Sequence, residues 1–448
     1  MQKLSSHNEN MDLVVAGTDD SLVEQLSFKL PATASYATER RLVSAFPSGA
    51  SQFAPDGVRV ARFVLTGEGW LDPSTLRLAM KLKNTHATNT LQLASGPWCL
   101  FDQVRLLIGG IECERIGPYY GRQHELFRHL LMPNAYNIES TIEDGQDYNA
   151  AVIPSVQPKV IGPGQYISLN MTPLLGLLNA QKYLPLRYMG GMQIEFTLAN
   201  ASEAVHPNSA SSSYQIEQAQ MRYSTVKLDS ALENSFSQLL LQGRALTFPI
   251  KTLHLQQQSL PANNSEVQVS LVRALSRLAG CFITFSGPAT YVDTSGVTQN
   301  TPATQKHIHK SFLNPSATIT GVPSNAANEA TLAWQVQVGP KNYPEASPSS
   351  NLAETFSLLR QAIGTYDESI RTTSITDAGY RGEQFVIGVP MQIVVGQPFS
   401  SVNTRSGDLL TVKVTGLNGD ARQAGRIYVH MVSETIIELR ESGVQVLD

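Results

Sequence analysis

The sequence carries one arrangement twice. An alternating run ends at Gly109-Gly110, a tyrosine pair follows at Tyr119-Tyr120, and a helical pattern starts there. Much later a second alternating run ends at Gly339-Pro340, Tyr343 follows, and a helical pattern covers 351–363. The two turns stand 230 residues apart. A second pair of landmarks keeps a similar offset. Gly191 precedes the Met192 run, and Gly407 precedes the Leu410 run 216 residues later. Similar units in the same order at similar offsets point to duplication of one domain. The fold must therefore be one that can stand beside its own copy.

The repeated unit is β. Leu76, Leu78, Met80 and Leu82 alternate with Arg77, Ala79, Lys81 and Lys83, which predicts a half-buried strand. Met192, Ile194, Phe196 and Leu198 alternate with Gln193, Glu195 and Thr197 in the same way. Further strand patterns fall at 61–66, 98–108, 111–116, 166–169, 184–188 and 219–223. The second half has them at 246–256, 267–285, 332–338, 410–414, 427–431 and 436–439. Trp70-Leu71-Asp72-Pro73 reads as a turn. Only two long helical patterns interrupt the strands within the halves. One, at 120–131, puts Leu126, Phe127, Leu130 and Leu131 on one face and stops at Pro133. The other aligns Leu352, Phe356, Leu359 and Ile363 and stops at Gly364. About eight short strands in two sheets is the jelly-roll answer to exposed sheet edges. Parallel α/β is disfavoured, because two helices cannot cross over between every strand pair. The expected class is all-β, two eight-stranded jelly rolls in tandem.

The halves meet at a third helix. Ser230 and Glu233 have capping-box spacing, Leu232, Phe236, Leu239 and Leu240 form one apolar face, and Gly243 supplies a stop. The predicted division is an N-terminal arm at 1–57, a first roll at 58–229, a linker helix at 230–245 and a second roll at 246–448. Within the arm, a short helical turn is expected near 21–26.

Composition narrows the function. With 448 residues and 42% apolar content the chain can fill two cores. Charged residues are only 16%, against about 25% in typical globular chains, which suits burial of outer faces against other copies. Net charge is −4, and the first fifty residues hold four Lys/Arg against six Asp/Glu. That excludes a basic arm neutralising phosphates. Three cysteines, Cys99, Cys113 and Cys281, do not make a disulfide framework and read as buried free thiols from a reducing compartment. No apolar run approaches membrane-spanning length, and no secretory signal is evident.

In several stretches the sequence resembles the double jelly-roll major capsid proteins of Polintons, Polinton-like viruses, virophages and adintoviruses. They are Phe63-Val64-Leu65-Thr66-Gly67 with Gly69-Trp70-Leu71-Asp72-Pro73, Leu184-Pro185-Leu186-Arg187-Tyr188, and Arg273-Ala274-Leu275-Ser276-Arg277-Leu278 with Cys281-Phe282-Ile283-Thr284-Phe285. Gln335-Val336-Gln337-Val338-Gly339 with Tyr343-Pro344, and Asn403-Thr404-Arg405-Ser406-Gly407-Asp408-Leu409-Leu410, complete the set. The resemblance implies a structural protein, not an enzyme, without cofactor. It implies homotrimers of pseudo-hexagonal outline that tile an icosahedral shell around double-stranded DNA. Neighbouring capsomers and penton and minor capsid proteins would be partners, with assembly inside the host cell and the virion as final location. The polar loops 200–213 and 287–328 would form an outer crown, and the arm would tie neighbours from below. The alternative readings are a tandem β-sandwich that binds or hydrolyses carbohydrate, which would need an aromatic groove with paired carboxylates, and a penton or spike protein.

No catalytic, cofactor or metal residue is assigned. His124-Glu125 with His129 lacks the four-residue spacing of a zinc helix, so the imidazoles diverge. His307-Ile308-His309 reads as surface or interface histidines that could make assembly pH-sensitive. Gly67-Glu68-Gly69 and Gly162-Pro163-Gly164 are turns without the lysine of a phosphate cradle. Asp19-Asp20 and Glu143-Asp144 read as solvated pairs, and Arg40-Arg41 as an inter-subunit contact. The sequons at Asn170 and Asn200 matter only in a secreted protein.

Overall fold

The computed structural model describes residues 37–131, 141–148, 156–261, 265–288, 290–292, 298–300, 307–309, 311–315, 332–348, 351–364, 373, 375–394, 399–405, 409–417 and 424–447. In the first half the strands are β1 (Ala37–Ala45), β2 (Val60–Leu65), β3 (Trp70–Asn84), β4 (Phe101–Ile108) and β5 (Ile111–Ile116). Helix α1 (Tyr120–Leu131) follows, then β6 (Tyr166–Met171), β7 (Met192–Leu198) and β8 (Tyr214–Leu228). Helix α2 (Ser230–Leu241) leads to β9 (Leu246–Ser259), β10 (Glu266–Leu271), β11 (Leu278–Ser286), β12 (Ala333–Val338) and β13 (Lys341–Tyr343). Helix α3 (Leu352–Ile363), β14 (Ile387–Pro390), β15 (Leu410–Thr415), β16 (Arg426–Arg440) and β17 (Gly443–Leu447) follow, and shorter strands and helices lie in the connections.

The two halves repeat one topology. The first has a sheet ordered β1-β8-β3-β6 facing a sheet ordered β2-β7-β4-β5. The second has β9-β16-β11-β14 and β10-β15-β12-β13, the same order strand for strand. All pairings between these strands are antiparallel. α1 and α3 fill the same connection, after the fourth strand of the smaller sheet in each half. Alternation decides what faces inward: β2 buries Ala61, Phe63 and Leu65, and β10 buries Val267, Val269 and Leu271. Phe196 of β7 packs on Phe63 and Phe101 at 6.0 and 5.0 Å. The jelly-roll pair read from the sequence is therefore the fold observed.

Several readings change. The strand expected over 267–285 is two, β10 and β11, and that expected over 184–188 is a two-residue strand followed by a 3-10 turn. Residues 37–45, expected in the N-terminal arm, are β1, paired along β8 from Ala37↔Leu228 to Ala45↔Met221. The first roll thus begins upstream of residue 58. β1 is an edge strand with most of its side chains exposed, and Glu39, Arg40 and Arg41 break any apolar alternation. Charges of this kind guard an edge from further pairing, and they also hide the strand from a periodicity reading. Trp70–Pro73, expected as a turn, opens β3. The ladder skips between Ser224↔Asp72 and Arg222↔Arg77, so Pro73 sits where no ladder donor is needed. Finally, Pro97–Leu100 is a 3-10 turn, so the expected 98–108 strand starts at Phe101. The helical turn expected at 21–26 lies outside the described residues.

The registers orient both rolls. β8 ends and β1 begins at one end of the first roll, where α2 starts. β9 leaves α2 from the corresponding end of the second. The connections at 199–213 and 287–332 leave from the opposite end. Among the described residues no helix is long and apolar enough to cross a membrane. Phe196→Ala should cost about 3–5 kcal/mol, read as a lower urea midpoint with an unchanged slope if both rolls unfold together.

Candidate functional site: the seam between the rolls

α1 has a sequence that should leave one side wet, YGRQHELFRHLL. Instead Arg122, Gln123, His124, Glu125 and Arg128 are buried along with Leu126, Phe127 and Leu130. The helix is wedged between the two rolls. Gly121 makes room, since a Cβ there would lie 2.8 Å from the Cys99 Cα and 2.8 Å from the His309 ring.

The polar face is matched on both sides. On the first-roll side, Glu125 accepts from Ser95 Oγ at 2.6 Å and from the Trp98 indole at 2.5 Å, and pairs with His129 at 3.1 Å. Burial pushes that carboxyl up, but His129, Arg128 and Ser95 together outweigh it and hold it near 2. Arg128 donates to Gln146 at 2.8 Å, pairs with Asp144 at 3.0 Å and lies over the Trp98 ring. His124 stacks on Trp98 at 4.5 Å and meets the Thr172 carbonyl at 3.1 Å.

On the second-roll side the centre is Arg122. Its guanidinium donates to the Ile308 carbonyl at 2.7 Å, to Thr284 Oγ1 at 2.8 Å and to the Phe285 carbonyl at 3.3 Å. Its Cζ lies 3.8 Å from the Tyr428 ring centroid and 4.7 Å from that of Phe312. All these partners are neutral, and burial lowers the Arg122 pKa to about 10. His430 meets Thr284 from behind at 3.3 Å. Phe127 packs edge-on against Phe282 at 5.6 Å. Below α1 the seam continues. Glu114 accepts from the Gly176 and Leu177 amides at 2.7 and 3.3 Å, and burial raises its pKa to about 7. Gly176 is required there, because a Cβ would come within 2.2 Å of the Lys251 carbonyl oxygen of β9.

The sequence-singled residues fall into place around this seam. His124 and His129 do diverge, one to Trp98 and Thr172, the other to Glu125. His307 and His309, expected at a surface or between subunits, are buried inside one chain, 6% and 0% exposed. His307 reaches the Val205 carbonyl of the first roll at 3.2 Å. The correction has a physical cause. The long connection after β11 dips inward to supply the Ile308 carbonyl to Arg122, and its histidines follow. Asp144 is likewise not solvated but paired with Arg128. Arg40 bonds Asp72 at 3.2 Å and Arg41 pairs with Glu39 within the chain. Cys99, Cys113 and Cys281 are free and buried, and burial pushes their thiols up to about 12, 11 and 12. Among the described residues no cluster of three His, Cys, Asp or Glu is placed to hold a metal. What sequence reasoning missed is Arg122. Its only signal was an arginine beside a glycine in the first turn of a helix.

No known family model matches the sequence, and no curated protein matches it. Solved structures do. The chain is similar to PBCV-1 VP54 fitted into a reconstruction of the virophage Sputnik, at TM-score 0.61 and 13% identity, covering 94% of this chain and 98% of that one. It is similar to the Faustovirus major capsid protein at TM-score 0.60 and 9% identity, covering 95% and 94%. It is also similar to a chain of the Sputnik virophage structure at TM-score 0.57 and 12% identity, covering 95% and 92%.

Two measurements test the seam. Arg122→Ala strands two buried carbonyls and a hydroxyl, and should lower stability by about 3 kcal/mol or more, with Arg122→Lys recovering only part. The pH dependence follows from the histidines. Burial lowers His124 to about 4 and His254 to about 3, and holds His309 and His430 well below 6.5. Below pH 6.5 the unfolded chain takes up these protons and the folded chain does not, so stability falls as pH drops from 6.5 towards 4. Glu114 acts in the opposite sense between pH 4.5 and 7 but is one group against four. The melting temperature should drop between pH 6.5 and 4.5, and drop less in His309→Leu.

Repeated strand order, paired sheets and a shared core around α1 establish that this chain has the double jelly-roll fold of viral major capsid proteins.

Proposed function

We propose that this chain is a major capsid protein that acts by self-association, forming homotrimers of pseudo-hexagonal outline that tile an icosahedral shell around double-stranded DNA. One observation carries the reading. α1 is buried in the seam between the first roll and the second, whereas α3, its counterpart in the second roll, leaves Ala353, Glu354, Ser357, Arg360 and Gln361 exposed. The second roll therefore presents outward the element that the first roll presents to its partner. A first roll from another copy completes that contact. Such head-to-tail contacts close into a ring when the rotation allows. Three chains give six rolls around the axis.

The likeness to solved capsid proteins supports the same conclusion. The functional division that goes with it is a first roll through Leu228, the junction helix and a second roll from Leu246. Penton and minor capsid proteins would meet the ring at its rim, and DNA would be enclosed without a basic arm. The protein works as a building block rather than a catalyst. Its three tryptophans, Trp70, Trp98 and Trp334, are all buried, so none of them offers the platform a carbohydrate-binding sandwich would use.

Light scattering on the purified protein should give the mass of three chains, with hexagonal outlines in negative stain. A stable monomer at high concentration that never assembles overturns the reading. Ser357→Glu/Arg360→Glu, on the exposed face of α3, should abolish the trimer while leaving the melting temperature of the monomer unchanged.

A further inference from the structure

The two rolls differ at the end from which α2 starts. In the first roll α2 covers that end: Phe236 packs on Trp70 at 4.7 Å, Ser237 bonds the Tyr188 hydroxyl at 2.6 Å, and Glu233 pairs with Arg187 at 3.4 Å. Arg187 and Tyr188 belong to the connection between β6 and β7. In the second roll the matching strand, β16, is followed by β17, which folds back onto β16 itself. No described helix covers the connection between β14 and β15. There the chain exposes Ile393, Val394, Phe399 and Leu409, and beside them Val272 at the end of β10, with exposures from 38% at Phe399 to 88% at Val272. These positions adjoin. Leu271 pairs with Leu410, so Val272 and Leu409 are the next ladder positions, and Ile393 bonds Ser400 next to Phe399. The rim is basic, with Arg273, Arg277 and Arg405, and Arg277 lies over the Phe399 ring at 5.3 Å.

The occupant is written in the same chain. Asp229-Ser230-Ala231-Leu232-Glu233 starts α2, with Asp229 accepting from the Ala231 amide. Asp20-Ser21-Leu22-Val23-Glu24 repeats its pattern of cap, apolar position and acid. Leu22, Val23 and Leu26 would share a face at helical spacing, and Asp19, Asp20 and Glu24 carry the sign of charge opposite to the arginine rim. The described chain also starts from this end. Ala37 pairs with Leu228, immediately before α2, so the preceding residues enter at this end. The eight residues between Phe28 and Ala37 reach about 30 Å when extended. We propose that residues 20–28 dock as a helix on the Val272, Ile393, Val394, Phe399 and Leu409 patch, doing for the second roll what α2 does for the first.

The inference stands independently of the capsid reading. The full chain carrying Val23→Cys/Val394→Cys is oxidised and run on a non-reducing gel, the native cysteines being buried. Formation of the cross-link supports the docking. A faster-running monomer places the segment on its own chain, and a ladder of multimers places it on a neighbour. In parallel, hydrogen exchange is compared between the wild type and Leu22→Asp/Leu26→Asp, whose changes precede β1 in the sequence. Exchange around 391–402 and 270–276 should quicken several-fold in the variant. Absence of a cross-link, or unchanged exchange at both segments, overturns the proposal. Protection that persists in the variant but falls on dilution assigns the patch to another surface of a second copy, and overturns it equally. The oligomer mass of the same samples is read alongside, so a trimer that survives without the cross-link refutes the docking alone.

Discussion

A guanidinium buried without a carboxylate partner sets the terms for this molecule. Arg122 is held by two carbonyls, a hydroxyl and two aromatic faces, all from the second roll, while its own helix belongs to the first. Removing such a charge from water is expensive, and neutral acceptors recover the cost only if every one is in place. The first roll therefore cannot bury α1 properly until the second has formed β11, β16 and the segments 307–309 and 311–315. That couples the rolls more tightly than apolar contact would, because apolar contact tolerates sliding and this constellation does not. We regard it as the device that fixes the relative placement of two sandwiches that each have a core of their own.

The surrounding groups follow from it. A cation at this depth disfavours further positive charge nearby, and both His309 and His430 are held neutral in part by Arg122. Glu125, one turn further along the helix, is tied to Ser95, Trp98 and His129. Its charge serves the first roll and leaves Arg122 to the second. One short helix thus carries two neighbouring polar systems, one tied to each roll, which explains why a sequence with five buried polar or charged residues is nonetheless helical and enclosed.

How much of this could be read from the sequence depended on whether a residue's environment is local. Period two marks a strand when one face meets a core and the other meets water, as in Leu76–Leu82 and Met192–Leu198, and these strands, with the duplication, were legible. β1 was not, because both of its faces are exposed and its charges answer to an edge. β14 was missed because Ile387, Gly388 and Val389 are all buried and show no alternation. The polar side of α1 looked like a wet surface, since nothing within twelve residues reveals that a second roll covers it. His307 and His309 looked like loop residues for the same reason. Their burial is decided by Arg122, far away in the chain.

The short link through α2 has a further consequence. Only the residues from Leu228 to Leu246 separate the last strand of one roll from the first of the next, so the two are never farther apart than that tether permits. Their encounter is unimolecular, with an effective concentration that no free subunit reaches in solution. In any closed ring built from such rolls, every second seam is then made before assembly begins, during folding of a single chain. Loss of translational freedom is borne only at the remaining seams. Fusion of two copies lowers the number of collisions that must succeed, and the two kinds of seam can diverge in strength because different residues encode them.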